Sequence, residues 1–475
     1  MSVVSFKKNL LYNIIYQCML LVTPLITIPY VSRVLGAEGI GTYSYTYSIV
    51  YYFMIIAMLG INNYGSRTIA KARGNKEKLS SAFWSIYAIQ FIMSVAMTAC
   101  YIGYILICSP EHLSVAIAQI IVLLSVFFDI NWFFFGMEQF KLTVSRSIII
   151  KIVSILMIFL FVRTSDDIVQ YTIIMASSTL LSQIVLWPFL RKEILSPRKV
   201  TISAKSHIKH CLILFIPVIA VSLYKIMDKI MLGAMSGVSE VGFYEQAEKL
   251  INFPLALITA LGTVILPRTS NLIANHEHKK VKELIGKSIS FITFLSCPIA
   301  LGLIAAADNF VPLFMGDGFA KSSILVCFLA VTVIFLSFAN IIRTGFMTPK
   351  EMDKEYAILT ITGGVVNLII NLILIPKLQS IGACIGTVVA EFVVMVLLIW
   401  FVRKDLPVLS YMKKPLIFLG KSIIMFCIVM LVKLFNLSDL QTVIAQTAIG
   451  VGVYAILNYN YISKNIKFRG IILKG

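Results

Sequence analysis

The sequence predicts an all-α polytopic membrane protein of about fourteen spans, arranged as two parallel six-helix bundles followed by two further helices. Three observations carry this. Hydrophobic residues fill 59% of the 475 positions and charged residues 13%, where soluble domains have roughly 45–50% and 25%; mean hydropathy is +0.91. The apolar residues fall into runs of about 20, the length that crosses a bilayer as a helix. Finally, Gly41, Tyr43, Arg67 and Thr68 return as Gly242, Tyr244, Arg268 and Thr269, each 201 residues later, the mark of a duplicated unit.

The runs follow one another between polar breaks. Lys7 and Lys8 precede the first, 10–31, which is longer than a signal-peptide core and has no small-residue cleavage site after it. It contains Pro24 and Pro29, and the seventh run contains Pro217; a proline inside a helix removes a backbone bond and bends the axis. A turn at Leu35-Gly36-Ala37 leads to the second run, 43–61, whose start is crowded with Tyr43, Tyr45, Tyr47, Tyr51 and Tyr52. The next four are 83–107, 115–135 with Asp129, 147–162 with Lys151, and 168–190. A basic linker, 191–210, separates this N-terminal bundle, 1–190, from a C-terminal one, 211–401. Its runs are 211–232, 243–266, 285–307, 322–342, 357–375 and 382–401, the last with Glu391. Segment 402–475 adds 416–434, 442–459 and a basic tail.

Loop charge orients the spans, because cytoplasmic connections carry the excess of Lys and Arg. Arg67, Lys71, Arg73, Lys76 and Lys78 mark one such loop; Arg191 to Lys209 and Arg268 to Lys287 mark two more. Between them lie loops with one basic residue or none, such as 109–114 and 436–441. An even span count then puts both termini inside, where Lys464, Lys467, Arg469 and Lys474 end the chain. An interval of six spans inserts the second copy in the same orientation as the first, and such repeats are related by an axis along the membrane normal with a substrate path between them. Leu35-Gly36-Ala37 pairs in this reading with Leu232-Gly233-Ala234, and Gly136-Met137-Glu138 is echoed by the turn around 347–354.

Several function classes drop out. The net charge of +19 reads as positive loops beside anionic headgroups, with no nucleic-acid partner. Eight scattered cysteines include no C-x-x-C pair, which argues against disulfides and metal clusters. His276 and His278 sit in a Lys-rich loop and read as solvated, so no metal or cofactor is expected. Gly36 to Gly41 lacks the glycine order of a dinucleotide fingerprint. No polar segment could house a nucleotide-binding domain and no enzyme constellation stands out, so a transporter, not an enzyme, is expected.

Charges inside the runs are the candidate site. Each costs roughly 2.5–3.5 kcal/mol near the bilayer centre by insertion scales, so such side chains pair or line a cavity. Lys225, Asp228 and Lys229 fall just before the outward turn of the second copy, and Glu245, Glu248 and Lys249 just after it. Lys225 and Lys229 share a helical face, and Glu245 precedes Lys249 in the favourable i,i+4 order. A salt-bridged hairpin and a cavity lining both fit. Arg33, near the outer end of the first run, aligns roughly with the Lys229 region through the repeat, a basic pairing suited to an anion. The substrate-binding candidates are Arg33, Lys225, Lys229 and Lys249, with Tyr47 and Tyr51, one turn apart, either stacking on sugar or forming an interfacial belt. Asp129, Asp228, Glu245 and Glu391 are the ion-coupling candidates, Asp129 with helix packing as its alternative role; Lys151 is placed to snorkel.

Four motifs add a resemblance. Pro29-Tyr30-Val31-Ser32-Arg33-Val34-Leu35-Gly36, Asn63-Tyr64-Gly65-Ser66-Arg67, Asp129-Ile130-Asn131-Trp132-Phe133-Phe134-Phe135-Gly136 and Met227-Asp228-Lys229-Ile230-Met231-Leu232-Gly233 resemble the Wzx-type polysaccharide flippases of the MOP exporter superfamily, over nearly the whole chain. The resemblance implies a MOP/MATE-like fold in a bacterial plasma membrane. It also implies translocation of undecaprenyl-diphosphate-linked oligosaccharide repeat units for O-antigen, capsule or exopolysaccharide synthesis. Membrane lipids surround such a protein, and a polysaccharide polymerase and a chain-length regulator are its expected partners. Alternating access would be driven by membrane potential or by H+ or Na+. A MATE-like multidrug or cation antiporter and a lipid II-type flippase are the alternatives.

Overall fold

The computed structural model describes residues 3–466; within them the side chains of 3–22, 217, 220, 223–225, 261, 263 and 464–466 lie outside the described set, and with them the Lys225, Pro217 and Lys464 expectations. Among the described residues the chain is helical, without a strand. It divides into two compact units, Met1–Glu245 and Gln246–Gly475.

The first unit begins with α1 (Val3–Met58), which holds the first expected run and the second as far as Met58, with a break at Gly36. Left-handed Leu59 and Gly60 turn the chain into α2 (Ile61–Ala72). Helix α3 (Lys76–Cys108) starts under an Asn75 cap whose side chain accepts from the Glu77 and Lys78 amides, satisfying two of the donors that a helix start leaves open. The expected run 115–135 is three pieces, α4 (Leu113–Ala118), α5 (Ile120–Phe128) and α6 (Asn131–Gly136). Then come α7 (Phe140–Phe161), α8 (Ile168–Ile184), α9 (Trp187–Glu193) and α10 (Lys205–Ser236). Gly237 ends α10, and α11 (Val238–Ala274) runs on past the unit boundary. The second unit continues with α12 (His278–Met315), α13 (Ala320–Ile342), α14 (Asp353–Leu378) and α15 (Ser380–Val402). It closes with α16 (Val408–Tyr411), α17 (Lys413–Met430), α18 (Asp439–Leu457) and α19 (Tyr459–Ile466).

Twelve helical segments among the described residues are long and apolar enough to cross a membrane, against fourteen expected runs. The difference has two sources. Runs 10–31 and 43–61 share α1, which contributes one segment, and run 211–232 lies in α10, where several side chains fall outside the described set. The outward faces are apolar: Ile149, Ile152, Val153, Leu156 and Leu160 on α7 are all exposed at helical spacing. This inverts the polar-outside pattern of a soluble helix and suits hydrocarbon.

The break between α5 and α6 has a polar lining that periodicity does not reveal. Asp129 leaves the helix with extended backbone, and its Oδ1 accepts from the Asn131 amide at 3.0 Å and from Asn131 Nδ2 at 2.8 Å. Gln90 Nε2 donates to the freed carbonyls of Val126 and Asp129, and Trp132 Nε1 donates to Gln90 Oε1 at 3.0 Å. Arg146, 8% exposed, donates to the Ser182 carbonyl and to Asn131 Oδ1, while Asn131 Nδ2 donates to Gln183 Oε1. Buried polar backbone needs such partners. Asp129 thus ties the first amide of α6 into a network of buried polar groups, which favours its packing role. Asp129→Asn keeps an acceptor for Asn131 and is expected to lower stability by about 1 kcal/mol while leaving transport within about threefold. Thermal unfolding beside an export assay checks this, and a much larger transport loss would return Asp129 to the ion-coupling set.

Gly60 brings the corner between α1 and α2 against α10: a Cβ there would lie 2.8 Å from the Cys211 carbonyl oxygen. Tyr64 OH lies 2.7 Å from His207 Nδ1, and its ring stacks on His210. Burial, with His210 second, pushes the His207 pKa below its ordinary 6.5; Lys205 and Lys209 flank it on the same helix. A folded value below the unfolded one makes the neutral ring the stabilising form. That contribution is complete above about pH 6.5 and is lost as pH falls through the folded value. Melting temperature is therefore expected to drop between about pH 7 and 5, and His207→Phe should flatten that slope.

The turn after α6 recurs in the second unit. Glu138 and Glu351 are both left-handed, each with φ of 57°. Gln139 N donates to the Phe134 carbonyl and Glu138 N to Phe135, as Met352 N does to Met347 and Glu351 N to Thr348. Both are Schellman closures of a helix end, and they sit where the sequence echo was read.

Candidate functional site

The site grows from two glycine breaks. Gly36 has φ 66°, ψ −176° and Gly237 has φ 93°, ψ 161°, a region open essentially to glycine alone. These two are the corresponding turn glycines, 201 residues apart. That corrects the pairing of Gly36 with Gly233, which stays helical and makes room for the Tyr45 ring, 2.1 Å from where its Cβ would be.

One turn further on, the copies touch reciprocally. A Cβ on Gly41 would lie 1.7 Å from the Val238 carbonyl oxygen, and one on Gly242 would lie 1.9 Å from the Ala37 carbonyl oxygen. Ala37 and Val238 are themselves repeat equivalents, as are Gly41 and Gly242. Position i meeting j′ while j meets i′ is the signature of a two-fold contact. Near such an axis a residue meets its own counterpart, and Ser44 does: its hydroxyl donates to Glu245 Oε2 at 2.9 Å across an interval of 201.

Charge gathers at that point on one copy only. Lys229 Nζ on α10 lies 2.5 Å from the same Glu245 Oε2, with side chains 15% and 14% exposed. Their first-copy counterparts are Ile28 and Ser44. Asp228, 4% exposed, accepts from Tyr244 OH at 2.8 Å, and Tyr52 OH reaches the Ser222 carbonyl at 3.4 Å. Beside them runs an aromatic ladder on α1: Tyr43 stacks on Tyr47 at 5.8 Å and Tyr47 meets Tyr51 at 6.1 Å, with Tyr171 of α8 edge-on to Tyr43 at 5.0 Å. The result is an ion pair in an apolar protein, ringed by hydroxyls and flat faces.

The structure brings Lys229, Asp228 and Glu245 together with Tyr47 and Tyr51 in the first unit. Arg33 is exposed, and its guanidinium donates to Pro29 O on its own helix at 3.0 Å. Glu248 and Lys249 lie half-buried on α11 beyond the unit boundary. Glu391 is buried in the second unit on α15, where Gly386 leaves room for Asn371. Sequence reasoning did not place Ser44, Tyr43, Tyr171 or Tyr244 in the site. The 201-residue interval could have found Ser44, since it names the residue that faces Glu245 across a two-fold.

Comparison with known proteins agrees with this fold. Residues 6–273 match the family described as polysaccharide biosynthesis protein, and residues 214–373 match MatE. A protein of Escherichia coli (strain K12) named "Putative O-antigen transporter" is 26% identical over 407 residues, covering 84% of this chain and 97% of that protein. Among solved structures, the lipid II flippase MurJ in an inward closed conformation superposes with a TM-score of 0.77 at 16% identity, over 96% of this chain and 99% of that one. An inward-facing multidrug resistance MATE family transporter of the MOP superfamily superposes at 0.66 and 15% identity, over 82% and 96%. With more than half its length matched by the family model and its fold shared with these transporters, the chain belongs to the polysaccharide biosynthesis protein family.

Proposed function

We propose that this protein is a polysaccharide flippase that moves undecaprenyl-diphosphate-linked oligosaccharide units from the inner to the outer leaflet of a bacterial plasma membrane, with Lys229 holding the anionic headgroup. One observation carries this reading: a largely shielded lysine, paired with Glu245 beside stacked tyrosines, at the two-fold contact of a duplicated membrane protein. The cation suits a diphosphate, and Tyr47 and Tyr51 offer flat faces to sugar rings. Arg33, Lys225 and Lys249 are further basic ligands in this scheme. The polyprenyl tail would stay in lipid.

The energetics suit export. Moving one negative charge outward under an inside-negative potential, in the direction the field favours, releases roughly 2.3 kcal/mol per 100 mV, so a diphosphate of about two charges gains about 4–5 kcal/mol. Membrane potential therefore suffices as a driving force, and Asp228, Glu245 and Glu391 are where H+ or Na+ coupling would be added. Both termini are cytoplasmic in this scheme, and a polymerase and a chain-length regulator would act on the exported unit.

Cells depleted of the protein test it. Lipid-linked glycan is expected to accumulate on the inner face and vanish from the outer, with drug sensitivity unchanged. Raised drug sensitivity with normal surface glycan would support a multidrug exporter instead.

A further inference from the structure

Lys229 already holds an anion that belongs to the protein. We propose that Glu245 is an internal stand-in for the substrate's headgroup: it occupies Lys229 while the site is empty and surrenders it when the lipid diphosphate arrives. This rests on the reading of Lys229 as the headgroup ligand.

Three observations support it. A single carboxylate oxygen, Glu245 Oε2, takes both Lys229 Nζ at 2.5 Å and the Ser44 hydroxyl at 2.9 Å. Ser44 thus anchors the carboxylate from the opposite helix and leaves it a partner to keep once Lys229 is lost. Both charged side chains are largely shielded from water, so a phosphate reaching Lys229 must replace the carboxylate rather than add beside a solvated pair. Finally, neither charge is part of the duplicated scaffold, because the first copy has Ile28 and Ser44 at these offsets. The glycine contacts that hold the hairpins together, Gly41 on Val238 and Gly242 on Ala37, involve neither side chain.

The exchange is non-covalent and balanced: one lysine–carboxylate pair opens, one lysine–phosphate pair forms, and the carboxylate keeps Ser44. Its use lies in the return half of a transport cycle. With Glu245 in place the empty pair is neutral, while the loaded site carries the headgroup's negative charge outward. The same competition helps release, since the carboxylate stands ready to displace the delivered headgroup.

The test uses the purified full chain and two probes, undecaprenyl diphosphate in detergent and inorganic pyrophosphate, with folding checked by thermal unfolding. Glu245→Gln is expected to bind both probes about tenfold tighter or more, the worth of one charge-assisted hydrogen bond. Ser44→Ala, which takes from the displaced carboxylate the partner it keeps, should bind about threefold weaker. Tightening for the lipid but not for pyrophosphate would place the gain in the tail and overturn the proposal. So would wild-type or weaker affinity in Glu245→Gln while Lys229→Gln loses binding; the headgroup reading would then survive. If Glu245→Gln fails to fold, Ser44→Ala decides: weaker binding of both probes supports the exchange, and wild-type or tighter binding overturns it. If Lys229→Gln binds like wild type, the headgroup reading itself falls.

Discussion

Lys229→Gln is expected to lower outward movement of lipid-linked glycan about a hundredfold or more. Two effects add. The headgroup loses its cation, and Glu245, 14% exposed, loses the ammonium that lies 2.5 Å away in the intact protein. Removing one partner of a buried pair typically costs about 3–5 kcal/mol, whereas replacing both can be nearly neutral. The second effect is separable from the first. In Lys229→Gln with Glu245→Gln the buried charges are gone together, so melting temperature should recover toward wild type while transport stays low. Recovery of transport in the double variant would mean that Lys229 serves the fold only.

Gly41→Val is expected to destabilise the protein by about 3 kcal/mol, the upper part of the range for overpacked cores, and to abolish transport. The obstacle is backbone: the added carbon would fall 1.7 Å from a carbonyl oxygen and 2.9 Å from the Gly242 amide nitrogen, and neither can swing aside as a side chain could. Gly242→Val should cost about the same, because the contact is reciprocal. Gly103 on α3 is the control, with nothing within 4 Å of its would-be Cβ; Gly103→Ala should be neutral or stabilising by up to about 1 kcal/mol through helix propensity. Thermal unfolding of the three variants in one detergent separates these outcomes.

Much of this was legible in the residues, and the failures have physical causes. Runs of bilayer length locate the helices, because hydrocarbon forces backbone bonds inside each segment. They say nothing about a break such as Asp129-Ile130, where Gln90, Asn131, Gln183 and Arg146 from other parts of the chain satisfy the opened backbone; only tertiary structure assembles those partners. The α1 helix absorbed two expected runs because the turn read at Leu35-Gly36-Ala37 is made by one glycine, Gly36, and the helix continues on both sides of it. At the site, the i,i+4 rule paired Glu245 with Lys249 along one helix. The salt-bridged hairpin also read there matches the Lys229–Glu245 pair, and Ser44 joins the same carboxylate from α1. Arg33 was placed beside Lys229 by a rough alignment; its true repeat partner is Ala234, and its guanidinium turns back to its own helix.

The central claim is that Lys229 grips the headgroup of a lipid-linked glycan and that the protein carries it across the bilayer. Reconstitution in vesicles loaded with undecaprenyl-diphosphate-linked glycan, under an imposed inside-negative potential, measures this most directly. The account predicts outward movement by wild type that accelerates with potential, and movement near the protein-free background in folded Lys229→Gln. Equal movement by wild type and Lys229→Gln, or none by wild type above background, would contradict it.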